Sequence, residues 1–102
     1  MKECNILSKI REELKGNDNK ISKEFVEGII NQYGRIVYQK IGNNTRVCVI
    51  TLCSGHSLVG YARVIDPSND VEKIGNKIAR EKAEAKVWEL IGMLAIAIKN
   101  ES

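Results

Sequence analysis

Apolar residues first recur at helical spacing near the start of the chain. Between residues 3 and 15 they stand mostly three or four positions apart, at Ile6, Leu7, Ile10 and Leu14. Charged residues separate them, so the pattern predicts a short amphipathic helix. Gly16 and the polar residues 17–19 end this helix. The helix either packs on the domain that follows or lies across a neighbouring subunit.

A second apolar stripe predicts another helix over residues 22–33. The stripe consists of Phe25, Val26, Ile29, Ile30 and Tyr33. Ser22 has the side chain of an N-cap residue, and Glu24 stands where the positive end of a helix favours an acid. Gly34 is a typical residue for the C-terminal end of the helix.

From residue 35 the pattern changes to that of β-strands. Three runs rich in β-branched residues, 35–40, 46–53 and 57–64, are separated by short turn sequences at 42–44 and 54–56. Because connections this short join antiparallel neighbours, we expect a three-stranded meander.

The middle strand is apolar on both of its faces. One face carries Val47, Val49 and Thr51, and the other carries Cys48, Ile50 and Leu52. A sheet with one wet face would instead alternate polar and apolar residues. We therefore expect the long helix described next to cover one face, and the short helices or a second subunit to cover the other.

One long helix is predicted in the stretch 66–99, after a proline turn. The polar side chains before it make Ser68 or Asp70 the preferred N-cap. Its predicted core stripe begins with Ile74, Ile78 and Ala85 and continues with Val87, Ile91, Leu94 and Ile98. Between Val87 and Ile98 the helix carries a single charge, Glu89.

Apolar residues lie on other sides of this helix as well, at Trp88, Leu90, Met93 and Ile96. A helix that is apolar all round is buried all round, and one three-stranded sheet cannot surround it. Small residues that permit a close approach between helices are Gly75, Ala79, Ala83, Gly92 and Ala95. We therefore predict a homo-oligomer, either a homodimer or an assembly of dimers, paired helix against helix.

The whole chain, residues 1–102, is predicted to be a single α+β domain of order α-α-β-β-β-α. Its antiparallel meander packs on the long C-terminal helix. Residues 1–20 form an N-terminal helical extension, and residues 21–99 form the core. The apolar run near the C-terminus has about twelve residues, short of the roughly 20 that span a bilayer. Since the N-terminus also lacks the apolar segment of a signal peptide, we expect a soluble, cytoplasmic protein with no membrane partner.

Cysteine and histidine are few, with Cys4, Cys48, Cys53 and a single His56. A zinc site needs about four such ligands at characteristic spacing, so we expect no metal. The odd number of cysteines favours free thiols, which suit a reducing cytoplasm. Cys53 and His56 flank a tight turn without a third group to orient the imidazole, so we expect neither catalysis nor a cofactor.

One set of residues can hold a phosphorylated ligand near the start of the long helix, where free backbone N–H groups attract anions. The set is Tyr61, Arg63, Ser68, Asn69, Asn76, Lys77 and Arg80. Tyr61 and Arg63 share one face of the third strand, so the ring can stack on a base while cations and amides contact phosphate and base edges. The alternative interpretation is a capped helix with a solvated, charged face.

A basic row across the sheet would suit a nucleic-acid backbone, and Arg35, Arg46 and Arg63 are its candidates. Few aromatic residues interleave with these arginines, and the formal net charge is only +3. We therefore do not expect a nucleic-acid partner.

Several segments of the chain form a recognisable pattern, and they are residues 21–26, 45–52, 60–67, 74–80, Ala83 and 86–92. In these segments the chain resembles a family of small phage proteins encoded in the early region. The most specific part of the resemblance is the turn Asp66-Pro67, followed by Ile74-Gly75 and then by alanine, tryptophan and glycine at helical spacing. The chain is also similar to the type-one Thoeris anti-defence sponges. Those phage proteins bind the cyclic ADP-ribose isomer that bacterial TIR-domain enzymes make.

The resemblance implies a homo-oligomeric sponge that sequesters this signal without cleaving it, so that the host effector stays silent. It implies a cyclic nucleotide as ligand and no enzymatic activity. The candidate contact residues are those named above from their chemistry. A second hypothesis is a structural or interaction module whose long apolar helix docks onto another phage or host protein.

Overall fold

The computed structural model of the chain describes residues 4–18, 20–64 and 71–101. The elements are α1 (Ile6–Gly16), α2 (Lys23–Tyr33), β1 (Gly34–Ile41), β2 (Thr45–Leu52), β3 (Ser57–Arg63) and α3 (Glu72–Lys99). The strands form one antiparallel sheet in the order β1-β2-β3. The predicted α+β architecture, its α-α-β-β-β-α order and the long C-terminal helix are confirmed.

Both ends of α2 are fixed by the residues that the sequence indicates. The hydroxyl oxygen of Ser22 accepts a hydrogen bond from the N–H of Phe25 at 3.1 Å, as expected of an N-cap. At the other end, the N–H of Gly34 donates to the carbonyl of Ile30. A Cβ at Gly34 would lie 2.5 Å from that oxygen, so only glycine lets α2 pass directly into β1.

The sheet has one packed face and one open face. Cys48, Ile50 and Leu52 of β2 are buried on the face that lies against α3. On the opposite face Val37 is 45% exposed and Val59 48%, and they flank the half-buried Val49. Within the part of the chain that the structure describes, α1 and α2 pack beside α3 and do not cover this outer face.

Small residues bring β3 and α3 unusually close together. A Cβ atom at Gly60 would overlap the carbonyl oxygen of Ala79 and the backbone nitrogen of Ala83. The buried positions of α3 follow one another at steps of four, and they are Gly75, Ala79, Ala83, Val87, Ile91 and Ala95. The sequence predicts that five small residues of α3 pack against a second copy: Gly75, Ala79, Ala83, Gly92 and Ala95. This prediction is wrong for all of them except Gly92, because the other four are buried within the protomer.

The predicted start of the core stripe is also wrong, since Ile74, Ile78 and Ala85 are exposed. A step of four residues advances about 40° beyond one full turn of an α-helix. The buried stripe therefore winds around α3, facing the sheet in the first half and α1 in the second. The large side chains of Ile74 and Ile78 point away from the buried stripe. The stripe itself holds small residues where α3 meets Gly60, because the close contact there leaves no room for larger side chains.

The start of α3 differs from the prediction too. The N-cap position is occupied by Val71, which makes no side-chain capping hydrogen bond, so the preference for Ser68 or Asp70 is wrong. The turn at residues 66–70 lies outside the described residues, and the predicted contacts of Ser68 and Asn69 lie there with it.

The N-terminal helix packs on its own domain. Ile6, Ile10 and Leu14 are buried in the same core cluster as the sheet and α3. Arg11 donates to both carboxylate oxygens of Glu101, at 3.0 and 2.8 Å, which ties α1 to the C-terminal end of α3. The apolar face of α1 is therefore buried within its own protomer, and the alternative in which α1 lies across a neighbouring subunit does not apply to that face.

A disulfide joins Cys4, just before α1, to Cys53, just after β2, with their Cα atoms 5.6 Å apart. The expectation of three free thiols is wrong for these two, and Cys48 is the free, buried cysteine. The spacing of 49 residues along the chain does not reveal the pair. The two sulfur atoms meet because α1 docks beside the turn between β2 and β3.

Candidate functional site

The most distinctive polar arrangement surrounds Tyr61 on the open face of the sheet. Tyr61 lies on the edge strand β3 and is 48% exposed. The guanidinium carbon of Arg63, two residues along the same strand, lies 5.2 Å from the centre of its ring. The ammonium nitrogen of Lys82 lies 5.4 Å from the same centre. We call Tyr61, Arg63 and Lys82 the Tyr61 cluster.

Backbone contacts explain how Lys82 of α3 reaches a ring on the far face of the sheet. Gly60, next to Tyr61, points at α3 and meets the backbone between Ala79 and Ala83. Lys82 belongs to that same turn of α3, and β3 has no further strand beside it. The lysine side chain therefore extends past the free edge of the sheet to the Tyr61 ring.

The Tyr61 cluster combines two cations with an accessible aromatic ring. Each cation lies within the roughly 6 Å over which a cation and a ring face attract each other. An incoming phosphate can form charge-assisted hydrogen bonds with Arg63 and Lys82, and the ring offers a surface on which a base can stack. The cluster thus has the groups that a nucleotide requires.

A second polar region lies in a groove between α2 and α3. Two adjoining cavities of about 540 and 360 Å³ form this α2–α3 groove. Both are lined by Glu27, Glu81 and Glu84, with Trp88 at one end and Arg80 at the other. Lys23, Lys77 and Arg80 line the same two cavities, so the three carboxylates are matched by three cations and the lining carries no net charge to attract a phosphate.

Arg80 is already engaged by groups of its own protomer. Its Nε lies 3.4 Å from a carboxylate oxygen of Glu84. A hydrogen bond with the side chain of Tyr38 raises the pKa of Arg80, and the charge of Glu84 raises it further. A phosphate at Arg80 would therefore have to compete with a carboxylate that is already in place.

The predicted ligand residues fall into two groups on opposite sides of the sheet. Tyr61 and Arg63 lie together on the open face. Arg80 contacts Tyr38, whose register with Cys48 places it on the face packed against α3, and Lys77 lines the same part of the groove. The structure therefore does not bring the two pairs into one pocket within a protomer.

Asn76 lies in the first turns of α3 and is half-buried. Its side-chain oxygen is buried, and among the residues that the structure describes it accepts no hydrogen bond. Ser68 and Asn69 fall in the segment outside the described residues. As ligand contacts, all seven residues stay predictions.

The sequence pattern does not identify Lys82, the third member of the Tyr61 cluster. The parity of β3 shows that Tyr61 and Arg63 share a face, because they are two residues apart. No local signal separates Lys82 from Lys77 or Lys86, since its approach to Tyr61 depends on where α3 crosses β3. Gly60 was the available clue, because an isolated glycine in a strand often marks a close approach of another backbone.

The basic row considered for nucleic acid is interrupted. Arg35 and Arg63 lie on the open face, but Arg46 points to the packed face, where its side chain lies 4.0 Å from Glu72. Arg35 pairs with Thr51 and Arg63 with Thr45, at opposite ends of the sheet. At about 3.3 Å per residue, roughly 20 Å separates them.

The cysteine and histidine side chains have roles other than that of a nucleophile pair. Cys53 is bonded to Cys4 and carries no free thiol, and Nδ1 of His56 lies 2.8 Å from the hydroxyl of Ser54. Burial raises the pKa of the Cys48 thiol. Among residues 4–18, 20–64 and 71–101, no group of three His, Cys, Asp or Glu side chains is placed to hold a metal ion. No helix over these ranges is long and apolar enough to cross a membrane.

Comparison with known proteins finds one family. Residues 7–98 match the family model described as the phage protein (N4 Gp49/phage Sf6 gene 66) family, so the match spans nearly the whole chain. No curated protein and no solved structure matches the chain.

Proposed function

The chain belongs to the phage protein family of N4 Gp49 and phage Sf6 gene 66, and from this premise we propose that it is a non-catalytic anti-defence sponge. In this role it binds a cyclic nucleotide immune signal, a cyclic ADP-ribose isomer, in the host cytoplasm. Sequestering the signal would block TIR-based immunity. The family match supports a phage protein, and the sponge activity rests on the sequence resemblance and on the chemistry of the Tyr61 cluster.

The observation that carries this proposal is the approach of two cations to one exposed aromatic ring. A cyclic ADP-ribose isomer combines an adenine, two riboses and a pyrophosphate. In the proposed complex, Arg63 and Lys82, which lie 5.2 and 5.4 Å from the centre of the Tyr61 ring, contact the pyrophosphate, and a free part of the ring supports the base.

A sponge has to outcompete the effector that normally receives the signal. Nanomolar affinity corresponds to a binding free energy of about −12 kcal/mol. One exposed ring and two cations supply only a part of that amount, so we propose that a second subunit completes the pocket.

The second candidate function is an interaction module, and the exposed apolar residues of α3 favour it. Ile74, Ile78, Met93 and Ile96 all project from the described protomer without cover. On this account α3 docks onto another phage or host protein, and the Tyr61 cluster is a surface feature without a ligand.

Retention followed by release distinguishes these functions. The protein is mixed with the product of a TIR-domain enzyme or with a panel of cyclic nucleotides, the unbound fraction is removed, and the protein is denatured by heat. We expect the released nucleotide to be chemically intact. An altered nucleotide would identify an enzyme, and the absence of any retained nucleotide would favour the interaction module.

A pair of arginine variants locates the site in the same experiment. Arg63→Ala removes one cation of the Tyr61 cluster and should reduce retention. Arg35→Ala removes an arginine from the same face about 20 Å away and should leave retention unchanged. Equal retention by both variants would place the ligand elsewhere.

A further inference from the structure

The outer face of α3 carries a regular pattern that the protomer leaves uncovered. The apolar residues Ile74, Ile78, Met93 and Ile96 are exposed by 57, 39, 62 and 63%. Between them on the same face lie Lys82, Ala85 and Glu89, all exposed. The seven positions follow one another at steps of four, four and three residues, repeated twice. This 11-residue period stays on one side of a nearly straight helix, and we call this face the α3 seam.

The α3 seam reads almost the same in both directions. From its N-terminal end it presents two isoleucines, a lysine, a small residue, a glutamate and two large apolar residues. A two-fold axis beside Ala85 would place Ile74 opposite Ile96 of a second copy, and Ile78 opposite its Met93. It would also place Lys82 opposite the second copy's Glu89, and each contact would occur twice.

We propose that a second copy of this chain docks antiparallel on the α3 seam, around a two-fold axis at Ala85. The charges decide the orientation. In the antiparallel pair, two Lys82–Glu89 ion pairs form, whereas a parallel pair would set Lys82 against Lys82 and Glu89 against Glu89. A self-complementary patch related by a two-fold axis is the usual form of a homodimer interface.

Glu89 and the backbone are available for this contact, and the exposed side chain of Lys82, whose nitrogen lies 5.4 Å from the centre of the Tyr61 ring, would contact both that ring and the Glu89 of the second copy. Glu89 pairs with the exposed Lys86 of its own helix at 4.0 Å, and such surface pairs contribute little stability. Ala85 at the axis allows the two helices to approach within the 8–10 Å that is usual for packed helices. From Ile74 to Ile96 the contact would run for about 33 Å along α3.

The pairing differs from the one expected from sequence, in which glycines and alanines faced the partner. Those small residues are used inside the protomer, against Gly60 and β3. The proposed contact uses the opposite side of the helix. It goes beyond the proposed function, because it rests on α3 alone and is measured without any nucleotide.

Charge exchange tests the proposal on the full-length protein by sedimentation over a concentration series. Glu89→Lys should weaken dimerisation about ten-fold, because it turns two attractive pairs into repulsive ones. Adding Lys82→Glu to that variant should restore dimerisation, since the pairs re-form with exchanged signs. Glu12→Lys, an equal change of charge on the exposed side of α1, is the matched control and should have no effect.

Cysteine cross-linking tests the orientation independently. Ala85→Cys should form a disulfide-linked dimer on mild oxidation, because the axis brings the two copies of this position together. Ile78→Cys should cross-link only when Met93→Cys is introduced into the same chain. A strictly monomeric protein, a dimer insensitive to Glu89→Lys, or efficient cross-linking of Ile78→Cys alone would each overturn the proposal.

Discussion

At the scale of the residue, Gly60 sets the distance between the sheet and α3. It is the point where β3 meets the backbone of α3, and the residues it faces, Ala79 and Ala83, are themselves small and fully buried. The sequence shows an isolated glycine in a strand and small residues in a helix, but it does not show that they touch. Contact between elements distant in sequence is set by packing of the whole domain, which explains why the small residues were first assigned to a partner copy.

Gly60→Ala should lower the free energy of unfolding by about 1–3 kcal/mol, because the added methyl group has to displace the backbone of α3. Urea denaturation followed by circular dichroism measures this change. Gly28→Ala is a suitable control, since a Cβ at Gly28 meets nothing within 4 Å. In a helix interior that substitution should raise stability by up to about 1 kcal/mol. Equal stability of Gly60→Ala and the unaltered protein would contradict the close contact.

At the scale of the element, helical and strand periodicity predicted the type and order of every segment. The caps of α2 and the antiparallel meander followed from local rules that need no knowledge of the rest of the fold. The orientation of α3 did not, because this helix has apolar residues on all sides and hydrophobicity alone cannot select the core stripe. Steric fit selected it, by placing alanines rather than Ile74 or Ile78 against β3.

The link between α1 and the sheet leads to a second prediction. Replacing Cys4 and Cys53 by serine should lower the free energy of unfolding by about 2–4 kcal/mol, since the disulfide closes a long loop and so restricts the unfolded chain. Denaturation with and without a reducing agent measures the effect. The unaltered protein should lose stability on reduction, while the double variant should not respond. A stability that reduction leaves unchanged would show that the disulfide does not hold α1 in place.

At the scale of the whole molecule, the fold separates residues that the sequence places near one another. Tyr61 and Arg63 were recognised as neighbours from strand parity, and the structure adds Lys82 to them. Arg80 precedes Lys82 by only two residues in the sequence but lies on the other side of α3, in contact with Glu84. Residues less than one helical turn apart can therefore lie in different sites, because one side of α3 faces β3 and the other side faces α2.

The two proposals meet at Lys82, which belongs to both the Tyr61 cluster and the α3 seam. Its ammonium group lies near the Tyr61 ring and, in the proposed dimer, near the partner copy's Glu89. A dimer built on the α3 seam would therefore bring a second subunit to the edge of the candidate nucleotide site. The arrangement offers a physical route by which a small protein could enclose a ligand that one protomer leaves largely exposed.

Calorimetric titration of the purified protein with the cyclic ADP-ribose isomer tests the central claim most directly. We predict nanomolar binding by the unaltered protein and by Arg35→Ala. Arg63→Ala should bind at least ten-fold more weakly, because a charge-assisted hydrogen bond contributes about 1.5–3 kcal/mol. The absence of binding at micromolar protein concentration, or equal affinities for all three proteins, would contradict the account.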